Sequence, residues 1–370
     1  MVNLLNCSIE AFMNYAQGKR VYSFGNSHYM NWFLKTNKYN FEKIIYSFTD
    51  NNPDKCKTNV VIKGRGIPVI SVNNLTNVIN KDDVILISTG NYYFEILKQL
   101  DNIEALDGID CFLLPFIQEH EKSYSIENDL QTKIAEAKNK EQQIPKKIHY
   151  CWFGENPIPD KLKGYMESWN KFCPDYEILR WDETNYDVTK NEYTHNAYKQ
   201  SKWNDISVYA RFDIVDKYGG IYFDTDVELI KPLDDLLFHQ AFIGYSHKHM
   251  LEAGSGFGSK KKFPLFNILL DSLSGCNSRE DFDNEYKKFY DLLFNKGLRY
   301  DNSFQSINEL AVYPSDFFCP IGASTGILNI TQNTYSIHWF SYTWLERGRD
   351  NWEKMLDPQN EINKRMQDIS

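Results

Sequence analysis

Short apolar runs alternate with helical segments in the N-terminal part of the chain. Apolar runs occur in KRVYSFGNS (19–27), FEKIIYSFTDNNP (41–53) and DDVILISTGN (82–91), and each ends in turn residues. Apolar residues at helical spacing follow the third run, in YYFEILKQLDNI (92–103). Strand, turn and helix in this order are typical of a parallel, doubly wound sheet. The pattern therefore predicts an α/β domain over residues 1–120.

The apolar content then falls in a charged stretch. Residues 118–143 read QEHEKSYSIENDLQTKIAEAKNKEQQ, with few apolar positions and many Glu and Lys residues. Such a composition is typical of a solvated helix or a linker. We expect a charged linker or connecting helix over residues 121–143, and a domain boundary there.

A second strand and helix series begins at Ile144. KKIHYCWFG (146–154) and YEILRWDE (176–183) are predicted strands, and YMESWNKFC (165–173) between them is a predicted helix. The stretch at 196–220, NAYKQSKWNDISVYARFDIVDKYGG, predicts one long helix that ends at a glycine C-cap and leads into the buried run IYFD. The second predicted domain, also α/β, extends over residues 144–370.

Composition and charge narrow the function classes. With 370 residues, 42% of them hydrophobic and 25% charged, the chain is long enough for two globular domains. It contains no apolar stretch of a length that spans a membrane and no signal-peptide pattern, so we expect a cytoplasmic protein. The seven cysteines lack CxxC spacing, which predicts reduced thiols.

The net charge of -9 argues against general binding to nucleic acid, which requires clustered Lys and Arg residues. If the ligand carries phosphate groups, something other than bulk charge must neutralise them. Aromatic residues make up 15% of the chain, and they suit both the binding of sugars and bases and the filling of cores.

Two aspartates, Asp224 and Asp226, stand at the exit of the run YGGIYF. On an extended segment their side chains point to the same side while Thr225 points away. Two converging carboxylates repel each other unless a cation lies near them, and Mn²⁺ or Mg²⁺ accepts such oxygens and also binds a diphosphate. The alternative is an acidic strand end that faces solvent.

Five blocks of the second domain resemble the DXD-containing glycosyltransferases of family 32, with its capsule-synthesis and mannosyltransferase-like members. The resemblance implies a GT-A fold, a nucleotide-sugar donor, a divalent metal and transfer with retention of the anomeric configuration. The blocks are IPKKIHYCWFG (144–154), SVYARFDIVDKYGGIYFDTDVELIKPLDDLL (207–237), EAGSGFGSKKKFPL (252–265), VYPSDFFCP (312–320) and YSIHWFSYTW (335–344).

The resemblance gives the charged residues roles at the metal and the donor. Asp226 is implied as a direct metal ligand, and Asp224 as a contact of the donor ribose and the metal. His338 is implied as the ligand that completes the metal site, although a lone histidine also serves as a structural residue. Arg211 is implied to lie near the donor sugar and phosphates.

The resemblance also assigns aromatic positions. Trp152 would stack on the nucleotide base, and Tyr222 would lie beside the nucleoside. Thr343 and Trp344 would close over the diphosphate. Burial in the core is the alternative for Trp152, Tyr222 and Trp344.

The chain departs from the family pattern at Val208, where an aspartate is expected to hold a donor-sugar hydroxyl. Asp205 and Asp213 are the nearest substitutes. The loop EAGSGFGS (252–259) offers a candidate contact with the donor sugar or the acceptor, because its glycines permit close approach of the backbone. Its candidate residues are Glu252, Gly254 and Ser255.

The first domain resembles a Rossmann-like domain attached to bacterial polysaccharide enzymes. Gly25 lacks the partner glycines of a GxGxxG motif, so nothing in the sequence indicates a bound cofactor. We expect a structural, docking or regulatory role for this domain.

Together these features predict a Mn²⁺- or Mg²⁺-dependent glycosyltransferase in bacterial capsule or cell-surface polysaccharide synthesis. The expected donor is a UDP-sugar and the acceptor a glycan or lipid-linked oligosaccharide, with peripheral association at the inner membrane face and homo-oligomerisation left open. A non-catalytic sugar-nucleotide binding or scaffold protein is one alternative. A haloacid-dehalogenase-type phosphatase with Asp224 as nucleophile is the other, although Glu228 stands where that motif has Thr or Val.

Overall fold

The computed structural model describes residues 1–27, 30, 31, 33, 34, 39–90, 92–121, 141–246, 251–299, 302–322, 325, 328–341 and 361–369. The chain forms two compact units. The first contains the described residues up to 121 and the C-terminal segment 361–369, and the second contains most of the described residues from 141 to 341. Most of the predicted linker, residues 122–140, lies outside the described part.

The first unit is an α/β domain, as predicted. All three predicted strands form, and the predicted helix at 92–103 forms over Tyr93–Asp101. Its elements in chain order are β1 Asn3–Asn6, α1 Ile9–Tyr15, β2 Val21–Phe24, α2 Phe41–Ile44, β3 Ile45–Thr49, β4 Asn59–Ile62, β5 Arg65–Ile70, α3 Val72–Val78, β6 Val84–Ile87, α4 Tyr93–Asp101, β7 Asp110–Leu113 and α5 Leu114–Glu121.

The second unit is also α/β. Two apolar cores pack against its larger sheet, one on each face of the sheet. Its elements in chain order are β8 Lys147–Cys151, α6 Asp160–Phe172, β9 Glu177–Trp181, α7 Glu192–Lys199, α8 Trp203–Tyr218, β10 Gly220–Tyr222, β11 Val227–Leu229, β12 Ala241–Gly244, β13 Phe257–Ser259, α9 Pro264–Leu273, α10 Arg279–Asn295, β14 Gln305–Ile307, β15 Leu310–Tyr313 and β16 Ser336–His338.

Strand β10 lies inside a seven-stranded sheet with the order β14-β15-β12-β13-β10-β8-β9. It runs parallel to β8 and antiparallel to β13, and all three of its residues are buried. A separate two-stranded sheet joins β11 and β16 in antiparallel register, with Val227 opposite His338. Four residues, 223–226, therefore connect the buried strand β10 to strand β11 of the two-stranded sheet.

The single long helix predicted for 196–220 is wrong, because the chain breaks there into α7 and α8. Ser201 adopts a left-handed backbone with a φ of 54°, and the amide of Lys202 donates to the carbonyl oxygen of Ala197. No glycine or proline marks this break in the sequence. The predicted end of the helix is confirmed: Gly219 caps α8 with a φ of 66°, and its amide donates to Val215.

The C-terminal segment 361–369 lies in the first unit, although the sequence placed it in the second domain. Strand β17, Gln367–Asp368, pairs in parallel with β1 and extends the first sheet to the order β17-β1-β7-β6-β2-β3-β5-β4. Ile362 is fully buried there, and Arg365 forms an ion pair with Asp101. These contacts join residues far apart in sequence, so no local pattern indicated them.

None of the helices in the described part of the chain has both the length and the apolar content needed to cross a membrane. None of the seven cysteines, all of which lie in the described part of the chain, forms a disulfide, and six of them are buried.

Candidate active site

A cleft of about 580 Å³ opens in the second unit where the chain leaves β8 and β10. Ligands of α/β sheets bind at such strand ends. The cleft brings together six residues that the sequence nominated from four separate blocks. They are Trp152, Arg211, Asp224, Asp226, Glu252 and His338.

Asp224 is held by two donors from the buried side of the cleft. The Nη2 atom of Arg211 lies 3.1 Å from its Oδ1 atom, and the Tyr222 hydroxyl donates to the same oxygen at 3.0 Å. The Asp224 amide donates to the carbonyl oxygen of Gly254 at 2.9 Å. Arg211 is almost fully buried, and its ion pair with Asp224 compensates for the loss of hydration.

Gly254 lies against the Asp224 carboxylate. A Cβ atom at Gly254 would come within 2.2 Å of the Oδ2 atom of Asp224 and within 3.2 Å of the Nη1 atom of Arg211. The glycine is therefore required by space and not by an unusual backbone angle. What the structure shows for Gly254 is that it leaves room for the Asp224 side chain. Its contact with the donor sugar or the acceptor stays a prediction.

Asp226 and His338 form a buried pair close to Asp224. The Nε2 atom of His338 lies 3.2 Å from the Oδ1 atom of Asp226. The amide and hydroxyl of Ser341 both donate to Oδ2, at 2.7 and 2.8 Å. The β11–β16 pairing places Val227 opposite His338, which is why residues 112 positions apart meet here.

The pair has shifted acid–base properties. Burial alone would raise the pKa of Asp226, but His338 and the Ser341 donors outweigh burial and lower that pKa to about 2. Burial would lower the pKa of His338, and the carboxylate of Asp226 outweighs this and raises it. Asp226 is therefore a carboxylate at neutral pH.

The residues present suit a divalent cation. One ligand atom each from Asp224, Asp226 and His338 lie within 4.8 Å of one another. Two carboxylates and an imidazole form a donor set that suits Mn²⁺.

The two aspartates converge, but not in the way that the sequence predicted. The segment between β10 and β11 is a turn, closed by the Val227 amide donating to the Asp224 carbonyl oxygen at 3.1 Å. Thr225 therefore lines the cleft with its neighbours and does not point away from it. A turn brings residues i and i+2 together as an extended strand does, so the prediction of convergence held while its reason did not.

The structure gives three nominated residues other surroundings. Tyr222 is only 1% exposed, so it supports Asp224 from the core and does not line the cleft. Ser255 is fully buried, with its hydroxyl donating to the Glu252 carbonyl oxygen. Asp205 accepts from Arg279 at 3.0 Å and is not a cleft-lining residue in the described part.

The remaining nominations have mixed outcomes. Trp152 lines the cleft with a half-buried ring, whose Nε1 atom donates to the Asn156 carbonyl oxygen at 2.7 Å. Val208 lines the cleft too, so no carboxylate stands at that position. Asp213 forms an ion pair with Lys190 and is not among the cleft-lining residues, so it does not replace the carboxylate expected at position 208. Thr343 and Trp344 lie outside the described residues.

Several cleft residues were missed by the sequence analysis. Ser341 lies inside the last recognised block, but the resemblance gave roles there only to His338, Thr343 and Trp344, and a single serine carries no signal of its own. Arg279, Asp283 and Tyr286 belong to α10, whose surface pattern is that of an ordinary amphipathic helix. Only the packing of α10 beside the cleft reveals them.

Comparison with known proteins supports the expected resemblance. Residues 159–243 match the family model described as "Glycosyltransferase sugar-binding region containing DXD motif". This range includes α6, α8, β10 and both aspartates of the DTD sequence. The DTD sequence of this chain therefore lies in a segment that matches the sugar-binding region of DXD-containing glycosyltransferases.

Two of the similar proteins are yeast enzymes named for mannosyl transfer. The chain is 36% identical over 109 residues to inositol phosphoceramide mannosyltransferase 3 of Schizosaccharomyces pombe, which covers 28% of this chain and 30% of that protein. It is 32% identical over 158 residues to the mannosyl phosphorylinositol ceramide synthase SUR1 of Saccharomyces cerevisiae, 41% of this chain and 40% of that one. The chain thus matches less than half the length of each relative.

Among solved structures, the galactosyltransferase LgtC in complex with donor and acceptor sugar analogues aligns with a TM-score of 0.30 and 11% identity, over 58% of this chain and 95% of that one.

Proposed function

We propose that the chain is a metal-dependent glycosyltransferase of GT-A type, which transfers a sugar from a nucleotide-sugar donor to a glycan or glycolipid acceptor. One observation carries this proposal: Asp224, Asp226 and His338 converge in a cleft of a chain with a DXD glycosyltransferase region. A cation bound by these residues would neutralise the diphosphate of a donor, which the net charge of -9 cannot do.

Asp226 and His338, with Asp224, would hold Mn²⁺ or Mg²⁺. When bound, the cation supplies positive charge for the nucleoside diphosphate leaving group. Ser341 keeps the Asp226 carboxylate in place through its amide and hydroxyl. Arg211 orients Asp224, and its guanidinium has more N–H donors than these contacts use, which suits it to a donor phosphate as well.

Trp152 suits the nucleotide base. Its ring lines the cleft, and the hydrogen bond from Nε1 to Asn156 fixes the ring orientation. A base that stacks on an ordered aromatic ring gains affinity with little loss of side-chain entropy.

In the transfer itself, the bond between the anomeric carbon and the phosphate oxygen breaks, and its electron pair leaves with the nucleoside diphosphate. The acceptor hydroxyl oxygen forms the new bond to the same carbon, and its proton passes to a phosphate oxygen of the leaving group. Retention of configuration, with attack on the same face, remains part of the proposal. Nuclear magnetic resonance of the anomeric proton in the product tests it.

The donor and the setting are also proposals. The relatives are named for mannosyl transfer to inositol phosphoceramide, so GDP-mannose belongs beside UDP-sugars among the candidate donors. A bacterial capsule or surface polysaccharide as the product, peripheral membrane association and a docking role for the first unit rest on the sequence resemblance. The cytoplasm as the compartment rests on the apolar pattern of the sequence.

Hydrolysis of a panel of UDP- and GDP-sugars, with and without Mn²⁺, tests the proposal. We expect release of nucleoside diphosphate from at least one donor, dependent on Mn²⁺ and abolished in Asp226→Ala. The control is Asp291→Ala, which removes an exposed carboxylate on the same unit. Equal activity of both variants would contradict the assignment of Asp226.

The same assays separate the two alternatives. Metal-dependent binding of a nucleotide sugar without turnover, even with acceptors present, would favour a scaffold protein. Hydrolysis of simple phosphomonoesters through a covalent Asp224 phosphate would favour a phosphatase. The ion pair of Asp224 with Arg211 and its bond to Tyr222 make the second outcome unfavourable, because both stabilise the carboxylate and reduce its nucleophilicity.

A further inference from the structure

One stripe of helix α10 forms a wall of the cleft. Arg279, Phe282, Asp283 and Tyr286 all line it, at positions i, i+3, i+4 and i+7. Side chains at this spacing share one face of a helix. The stripe therefore combines a cation, a carboxylate and two aromatic rings on a single surface.

The stripe runs beside helix α8 over two turns. At one end the Nη1 atom of Arg279 lies 3.0 Å from the Oδ1 atom of Asp205, and at the other the rings of Tyr286 and Phe212 lie 6.1 Å apart. Seven residues separate the two contacts on each helix, which is about 10 Å along the axis. Because Arg211 precedes Phe212 and bonds Asp224, the Tyr286 end lies near the metal-binding residues, and the Arg279 end lies about 10 Å further along the helix.

Arg279 organises the far end of the stripe. It bonds Asp205 from α8 and, through Nε, Asp283 at 2.8 Å within α10. The Asp283 side chain is 59% exposed and that of Arg279 is 44% exposed, so the pair faces the open cleft. A salt bridge with this exposure contributes little to stability. The Arg279 guanidinium thus offers charged donors, and the carboxylates that it bonds offer charged acceptors beside it.

The adjoining surface of α8 is apolar at Val208, which lies between the polar Asn204 and Ser207 on one side and Arg211 on the other. Val208 lines the cleft between the Asp205 end and Arg211, and its side chain makes no hydrogen bonds. A sugar in this part of the cleft would meet an apolar surface at Val208 and polar groups at α10. Carboxylates and guanidinium groups form the charge-assisted hydrogen bonds that suit sugar hydroxyls.

We propose that Arg279 and Asp283, with Tyr286, form a site for hydroxyl groups of a hexose in the cleft. This inference rests on the proposed glycosyltransferase function and adds the specificity-determining residues. The hexose is either the sugar of the donor or the first sugar of the acceptor, since both carry the same hydroxyl chemistry.

Two conservative variants of the full chain, Asp283→Asn and Arg279→Gln, test the site. Glu285→Gln and Lys288→Gln are matched controls, because they alter an ion pair of 2.6 Å on the same helix that does not line the cleft. In the presence of Mn²⁺, affinities are measured for UDP and GDP and for their sugar conjugates, and KM and kcat are measured for donor hydrolysis and for transfer.

We expect the test variants to weaken recognition of a sugar about 10-fold, as loss of a charged hydrogen bond does. Their affinity for the free nucleoside diphosphate should stay within about 2-fold of the control variants. A rise of the donor KM would identify the donor sugar as the ligand, whereas an unchanged donor KM with a raised acceptor KM would identify the acceptor sugar.

Equal donor and acceptor constants in the test and control variants would overturn the inference while leaving the transferase intact. If the folded wild-type protein binds no nucleotide sugar of the panel with Mn²⁺, the proposed function itself fails, and this inference fails with it.

Discussion

At the scale of single residues, the site depends on how closely the buried side of Asp224 is packed. Its carboxylate is surrounded by Arg211, Tyr222 and Gly254. Each neighbour limits where the carboxylate can lie, and each can be changed alone. Metal and donor binding tolerate only small displacements of such groups.

Gly254→Ala should displace the Asp224 carboxylate, since the new methyl group would lie 2.2 Å from Oδ2. We expect donor hydrolysis, as kcat/KM, to fall about 100-fold. The melting temperature should also fall, because displacing Asp224 weakens its ion pair with the buried Arg211. Gly275→Ala, which adds a methyl group in open space, is the control. Full activity of Gly254→Ala would show that the position of Asp224 is not critical.

Tyr222→Phe should reduce both stability and donor affinity by a small amount. The variant removes a buried hydroxyl that donates to Asp224 at 3.0 Å, while Arg211 still bonds the same carboxylate. The expected cost is about 1 kcal/mol in the free energy of unfolding, measured by urea denaturation, and about 5-fold in the Kd of a nucleotide sugar.

The control is Tyr176→Phe in the same unit, because the Tyr176 hydroxyl is buried without a hydrogen-bond partner in the described part. It should be neutral or stabilising. If Tyr222→Phe behaves like Tyr176→Phe, the bond to Asp224 contributes nothing.

At the scale of secondary structure, local patterns predicted the elements but not their pairing. The glycine cap of α8 and the buried run before Asp224 were readable, because capping and apolar runs are local. The left-handed Ser201 was not, since serine carries no signal for that backbone. The meeting of His338 with Asp226 depends on the β11–β16 register, and only the family resemblance anticipated it.

His149, on strand β8, contacts both neighbouring strands of the second sheet through Trp181 of β9 and through Gly219, the residue before β10. Its Nε2 atom lies 2.8 Å from the Gly219 carbonyl oxygen, and Nδ1 accepts from the Trp181 indole at 3.1 Å. Protonation of Nδ1 would remove the second bond. Burial lowers the pKa of His149 to about 4, outweighing the bond to Gly219, which raises it; Lys147 lowers it further and Glu177 raises it, both more weakly.

Stability of the second unit should therefore fall as the pH falls from 7 to 5. The unfolded chain takes up a proton at His149 near pH 6.5, whereas the folded chain does so only near pH 4. The contribution of this residue to the free energy of unfolding should drop by about 2 kcal/mol over that range.

Urea denaturation at pH 7 and pH 5 measures the effect in the wild type and in His149→Gln. The variant should be less stable at pH 7 but should lose less on acidification. Equal losses in the two proteins would assign the pH dependence to other groups.

At the scale of the whole molecule, the sequence predicted two α/β domains but not the path of the chain between them. Composition and the alternation of strands and helices sufficed to predict the two units. The return of residues 361–369 to the first sheet depends on the burial of Ile362 and on the pairing of β17 with β1. An edge strand of two residues carries no recognisable pattern alone.

Ile362→Ala should destabilise the first unit selectively. The side chain is fully buried in a core that belongs to this unit, and its truncation should cost about 2–5 kcal/mol in the free energy of unfolding. Because each unit has its own cores, calorimetry should resolve two transitions. A bound nucleotide sugar with Mn²⁺ should raise only the transition of the second unit.

Ile362→Ala should lower the transition temperature of the first unit and leave the ligand-induced shift of the second unit unchanged. Ile268→Ala, which truncates an isoleucine that is 47% exposed in the second unit, is the control and should move neither transition by much. A loss of nucleotide-sugar binding in Ile362→Ala would mean that the first unit and its C-terminal strand support the active cleft. The first unit would then support the active site directly, instead of having the docking or regulatory role expected from the sequence.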